Sequence, residues 1–460
     1  MRFAFDRIRE FGPAGIVLEA ILASMVGITL LVAFILLRRA WRRRQFRRRE
    51  ERALAIRGKW EGIVSGRIPA ANWRFHPIDR EIIQSILLDA LEVSPPEQAA
   101  PLLRCLRNSG LFDTLVHEAR TLHGWRRNRA LLALGRTRAP EAIAALGEGL
   151  DSRDAHTRLD AVRAMGRTGL PEAAIPILER LVGGELGVPV SPLQNALLNA
   201  CRPRPAVLLP FLRRAPDEVR PLLARVLGEI ANEELGDELL VLVHDKLAEV
   251  RAAAARALGR AKPRVALSAL ATLGSDKEWF VRLRAVVALG ELRDPLAIPM
   301  LIATLCDSNR LVRLRSAAAL AQHEEHLAEI LELVQRTGDR YALHALVSEL
   351  ERSGGLMKLI QSLIDPERME YSRAALTSAL RAGTERLLLD ALAHHAHWRV
   401  RLSVARLLAN SGKSELASQI ESMLDEAGSS RQQRVMRWVV NQLRSGGPPE
   451  KDEAPEPVSA

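Results

Sequence analysis

Aromatic residues are scarce in this chain, at 4% of 460 residues. So low a content argues against a β-rich fold, whose strands favour Val, Thr and Tyr, whereas the abundant Ala, Leu and Arg favour helices. There are only three cysteines, Cys105, Cys201 and Cys306, and no two are spaced as metal ligands or as a redox pair. That excludes a zinc ribbon or a disulfide framework and leaves three small hydrophobes, expected to be buried in a reducing compartment. The chain has no glycine-rich phosphate loop, nucleophile elbow or paired-carboxylate motif. No catalytic, metal or cofactor residue is therefore nominated, and the chain is expected not to be an enzyme.

Evenly spread charge is also missing. The formal net charge is +11, but residues 38–52 hold nine Arg and two Glu, so most of the excess sits in one short run. The remainder is nearly balanced, which removes the main support for a general polyanion-binding reading, and no nucleic-acid partner is expected.

What precedes that run is apolar. Ala14 to Leu37 contains one ionisable side chain, Glu19, and at about 1.5 Å per residue it is long enough to span the ~30 Å hydrocarbon layer. A cleaved signal peptide carries its positive charge before a shorter apolar run. Here the charge follows, in Arg38, Arg39, Arg42, Arg43, Arg44, Arg47, Arg48 and Arg49. The pattern predicts an uncleaved transmembrane helix with its short N-terminus outside and everything after Arg38 in the cytoplasm. The arginines serve as the topology determinant and as contacts for anionic lipid headgroups. Gly58, Gly62, Gly66 and Pro69 then punctuate a connector that carries Trp60, Trp73 and Phe75.

The strongest signal lies between Asp245 and Ala321. Val250-Arg251, Val281-Arg282 and Val312-Arg313 follow one another at a constant step, and Asp245, Asp276 and Asp307 keep the same step. A fixed period of this length marks stacked supersecondary units. Within one unit, Val281, Ala285, Ala288 and Leu289 share a helical face, as do Ile298, Leu301, Ile302 and Leu305 after Pro295. Gly290 is read as a left-handed helix end. Earlier units show through Gly135 and Gly166, an insertion interrupts the array at 183–192, and weaker helix pairs follow Ala321.

These residues resemble HEAT repeats, in the short variety of phycobilisome lyases. The resemblance implies an all-α fold, a HEAT/armadillo-type α-solenoid preceded by one transmembrane helix. The layout divides into a short N-terminus (1–13), the span (14–37), the basic segment and connector (38–76), N-terminal helices (77–124), the repeats (125–444) and an acidic proline-rich tail (445–460). It is similar to a bacterial group of membrane-anchored HEAT-repeat proteins. That likeness implies a scaffold or adaptor in the inner membrane that binds another protein, for instance a membrane enzyme such as a glycosyltransferase.

Within the repeats, Asp245, Arg251, Asp276, Arg282, Asp307 and Arg313 are expected to form a structural ladder, each acid also being able to cap its helix. Trp125, Trp279 and Trp398 recur near helix starts and are candidate partner contacts. One HEAT-repeat enzyme, deoxyhypusine hydroxylase, holds two irons with four repeated His-Glu pairs. Here only His117-Glu118 and His323-Glu324 occur, at non-equivalent positions. The alternatives to a scaffold are a lyase-like or metal-dependent enzyme subunit and, behind it, a nucleic-acid binder.

Overall fold

A computed structural model describes residues 13–65, 77–184, 186–424 and 429–445. The extreme N-terminus, Gly66, Pro69, Trp73 and Phe75 of the connector, Glu185 and the tail beyond Ser445 lie outside the described residues. Among the described residues all regular elements are helices. The chain forms two units, residues 1–180 with 184–200, and 181–183 with 201–460.

The first unit holds α1 (Pro13–Arg57), α2 (Trp60–Val64), α3 (Pro77–Val93), α4 (Pro96–Asn108) and α5 (Leu111–Thr121). It continues with α6 (Gly124–Thr137), α7 (Ala142–Leu150), α8 (Ala155–Thr168), α9 (Pro171–Val182) and α10 (Val190–Cys201). Helix α1 is long and apolar enough to cross a membrane, and its apolar stretch is bare, with Leu37 at 72% exposure. It does not end with that stretch. Where the sequence suggests a separate basic segment, the helix runs unbroken through the arginines to Arg57, about 30 Å past Leu37. Arginine is a good helix former, so the charge costs the helix little. At its far end Ala53 and Ile56 are half-buried, and Arg52 pairs with Asp79 of α3 at 2.9 Å.

The second unit opens with a 3-10 turn at Pro205–Leu208, α11 (Leu209–Arg214), α12 (Arg220–Ile230) and an irregular 3-10 stretch, Glu233–His244, broken at Gly236. Regular repeats follow: α13 (Ala248–Ala261), α14 (Ala266–Gly274), α15 (Trp279–Leu292), α16 (Ile298–Leu305), α17 (Arg310–Leu320) and α18 (Leu327–Arg336). The drifting repeats are α19 (Arg340–Arg352), α20 (Gly355–Ser362), α21 (Pro366–Arg381), α22 (Glu385–His394), α23 (Trp398–Ala409), α24 (Glu415–Ser422) and α25 (Ser430–Ser445).

The helices form two layers because each is apolar on one side only. In α15, Val281, Ala285, Ala288 and Leu289 are buried, and α16 buries Ile298, Leu301, Ile302 and Leu305, packing chiefly on α17. Helices of eight to fourteen residues are marginal alone, and stacking supplies the stability. The Val-Arg helices α13, α15 and α17 pack consecutively as one layer, which α19 continues.

The repeat glycines do not end helices. Gly259 and Gly290 lie inside α13 and α15, and the left-handed residues come three positions later, Lys262 at φ 46° and Arg293 at φ 53°. Their purpose is close approach. A Cβ at Gly259 would stand 2.8 Å from the Cβ of Ala288, and one at Gly290 would stand 3.0 Å from that of Ala319. Each glycine thus sits on the alanine two residues before the next unit's glycine position, which explains why Ala-Leu-Gly recurs as a block. Left-handed backbone costs an L-residue roughly 1–2 kcal/mol. Arg293→Gly should therefore stabilise the second unit by about 1 kcal/mol, read as a higher urea midpoint.

Candidate protein-docking site

The ladder is built from one arginine per unit, placed in the first turn of each Val-Arg helix. Arg251 grips Asp276 through two bonds, Nε to Oδ2 at 2.6 Å and Nη2 to Oδ1 at 2.9 Å. Arg282 does the same to Asp307, at 2.5 and 2.9 Å. The Nη1 of each arginine turns back to its own unit and donates to two carbonyls, those of Asp245 and Lys246 for Arg251, and of Asp276 and Lys277 for Arg282. Each acid therefore meets the arginine of the preceding unit rather than the one that follows it in its own. A looser contact of 3.8 Å between Arg220 and Asp245 begins the series.

The acids do not cap helices. Asp276 accepts from the N–H of Glu278, and Asp307 from that of Asn309, each forming a turn just before its helix. In the last regular unit Asn309 is the cap. The ladder stops at Arg313, which donates to the carbonyls of Asp307 and Ser308. Its expected next-unit acid position is Gly338, and Asp339, one residue on, caps α19 instead. These side chains are 7–16% exposed at the two central rungs. Hydrogen bonding from Arg251 holds the Asp276 carboxyl below the usual range. At Asp307 burial pushes upward, and the bonds from Arg282 and the Asn309 N–H outweigh it. Each carboxylate is already held by two bonds from one arginine and one from a backbone N–H, an arrangement that ties unit to unit.

The three tryptophans differ in setting. Trp125, at 67% exposure, has the guanidiniums of Arg126 and Arg129 at 5.6 and 5.9 Å from its ring centre. Trp279 is 42% exposed, edge-on to Phe280. Trp398 is half-buried beneath Arg431, whose guanidinium carbon is 4.0 Å from the ring centre. The arginines Arg38 to Arg49 are exposed along α1.

Among the described residues no group of three His, Cys, Asp or Glu is placed to hold a metal ion. His117 is exposed on α5, and Glu324 is taken by Lys358 at 2.6 Å. His395 Nδ1 accepts from the backbone N–H of His397, and His394 turns to Asp390. Cys105 and Cys201 are buried, the latter's thiol pushed up to about 12 by burial, but Cys306 is exposed, because it lies at the C-terminal cap of α16 rather than on its packed face.

His323 is buried in the turn after α17, and its Nε2 has no partner among the described residues. Burial, helped by nearby His326 and opposed by Asp294, lowers its pKa. The unfolded chain therefore takes up this proton first. Stability is complete above about pH 6.5 and falls as the pH drops through the depressed native value. His323→Phe should flatten the loss of thermal stability between pH 7 and pH 5.

Sequence reasoning overlooked a second feature of the same helices. A groove of about 510 Å³ lies along α13, α15 and α17, floored by Val287 and Ala318 and edged by Arg260, Lys262, Arg293 and Arg315. Lys262 and Arg293 stand one repeat apart, as do Arg284 and Arg315. The period was there to be found, hidden by the abundance of arginine.

Stacked helix pairs, small-residue contacts and an arginine ladder point to one repeat class, and its family signature matches residues 112–186, 205–289 and 271–351. These segments are HEAT repeats. No curated protein matches the chain. Among solved structures it is similar to an engineered protein at 20% identity, covering 82% of this chain and 98% of that one, with a TM-score of 0.26. It is also similar to human deoxyhypusine hydroxylase, at 18% identity, 54% and 100% coverage and a TM-score of 0.24. A third is YibA of E. coli, at 12% identity, 78% and 96% coverage and a TM-score of 0.25.

Proposed function

We propose that this chain is a non-catalytic scaffold, tethered to a membrane by α1, whose HEAT repeats hold a partner protein near the membrane surface. The observation that carries the reading is the continuity of α1. Its apolar half is bare, and its basic half runs without a break into the unit bearing the first repeats. An exposed apolar surface of that length is costly in water and is satisfied by lipid. The arginines that follow suit anionic headgroups and fix the orientation, N-terminus out and repeats in the cytoplasm. The bacterial inner membrane and a membrane enzyme as partner, such as a glycosyltransferase, follow from the resemblance to anchored HEAT-repeat proteins.

The test is fractionation with a C-terminal reporter. The full chain should stay in membranes through alkaline carbonate, keep its N-terminal segment when the mature protein is sequenced, and report from the cytoplasm. Cleavage after the apolar stretch, release by carbonate, or a reporter active only outside the cytoplasm would each sink the tether.

A further inference from the structure

We infer that the exposed face of α13, α15 and α17 is the docking site for an acidic amphipathic helix of the partner protein. This deepens the scaffold reading and rests on it. The face has an apolar floor, Val287 and Ala318, which continues toward the helix starts as Leu283, Leu311 at 51% exposure and Leu314 at 41%. It has a basic edge: Lys262, Arg293 and Arg315 line the groove, whose one acidic lining residue is Glu291. The rest of the chain outside residues 38–52 is nearly neutral, so this concentration of one sign is local.

Charge complementarity sets the occupant's chemistry, and repeat geometry sets its spacing. Packed helices stand about 8–10 Å apart, so equivalent cations on neighbouring units recur at about that distance. Two turns of an α-helix cover about 11 Å. A helix laid across the units would meet successive cations with carboxylates spaced two turns apart, and its leucines between them would cover Val287 and Ala318. A nucleic acid would leave that apolar floor uncovered, and the groove lining holds no aromatic ring for a base to stack on. The chain's own residues 446–460 carry acids but four prolines and no large apolar residue beyond Val458.

The experiment uses the full chain in nanodiscs and a labelled helical peptide of six turns with Glu at every second turn and Leu between. Anisotropy at about 0.1 M salt, near a 10 Å screening length, should give saturable binding, weakened tenfold or more when the same acids are scattered round the helix. Arg315→Glu should weaken binding at least tenfold. Arg293→Gly should weaken it severalfold while raising the urea midpoint, which separates lost charge from lost folding. Equal binding of a Lys-for-Glu peptide, unchanged affinity in both variants, or tighter binding of a single-stranded oligonucleotide would overturn the inference. So would a marked gain in peptide affinity on removing residues 446–460, which would make the tail the occupant. A photo-crosslinker at Ala318, compared with one at Trp125 in intact membranes, separates the two readings. Capture of a partner from position 125 but never from 318 leaves the scaffold and removes this face, and capture from neither removes both.

Discussion

Asp276→Ala is expected to destabilise the second unit by about 3–5 kcal/mol, because it leaves the Arg251 guanidinium nearly buried and without its acid. An exposed ion pair would be worth a fraction of that, and the Arg444–Glu421 pair, with the arginine side chain 61% exposed, is the internal control: Glu421→Ala should change stability by less than about 1 kcal/mol. The energy lost at Asp276 is mostly the penalty of a stranded charge, so the double variant Arg251→Met with Asp276→Leu should recover most of it. Urea unfolding followed by helicity measures all four chains. If the single and double variants lose the same stability, the ladder acts by attraction and not by mutual neutralisation. The pH dependence has a definite sign. Asp276 and Asp307 hold their protons less tightly folded than unfolded, so their contribution is complete above about pH 4 and is lost as the pH falls further. Asp276→Asn should shallow that acid limb.

Parts of this fold were legible in the sequence and parts were not, for reasons of distance along the chain. Val281, Ala285 and Leu289 announce their buried face because helical periodicity is local. The ladder residues were legible as types and as a period, yet their partners were not. The spacing of six sets each arginine against the backbone carbonyl of its own unit's acid, while the carboxylate it grips belongs to the next unit. The left-handed positions Lys262 and Arg293 gave no signal, since neither is glycine, and the glycine three residues earlier drew the prediction instead. The far half of α1 was hidden by composition, because a dense arginine run reads as juxtamembrane chain until the helix is seen to continue. At the candidate groove, Val287 and Ala318 resemble any half-exposed apolar residue. Only the layered packing of α13, α15 and α17 shows them to be neighbours across units.

The glycines give the second large effect, through two Gly→Ala changes in one unit with opposite signs. Gly147 in α7 has open surroundings, its nearest neighbour being the flexible end of Met165 at 4.0 Å from a built Cβ. Gly147→Ala should stabilise by up to about 1 kcal/mol, the helix-propensity gain. Gly166 in α8 faces backbone, and its Cβ would stand 2.4 Å from the Cα of Ala196 in α10. Side chains can turn away from such a contact, but a helix backbone cannot. The two helices must separate, losing packing along their whole contact, a cost of about 3 kcal/mol. The propensity gain of about 1 kcal/mol offsets only part of it. Gly166→Ala should therefore lose about 2 kcal/mol net and Gly166→Leu more than about 3 kcal/mol. Native-state hydrogen exchange of the α8 and α10 amides reads the effect where it arises. Faster exchange in both helices in Gly166→Ala, with α7 slowed in Gly147→Ala, is the expected pair. Slowed exchange in both variants would mean that backbone conformation outweighs helix contact in setting the spacing of these repeats. The contact should dominate because neighbouring helices of a repeat layer meet along this one seam, so a displacement at the glycine is passed to the helix stacked beyond it.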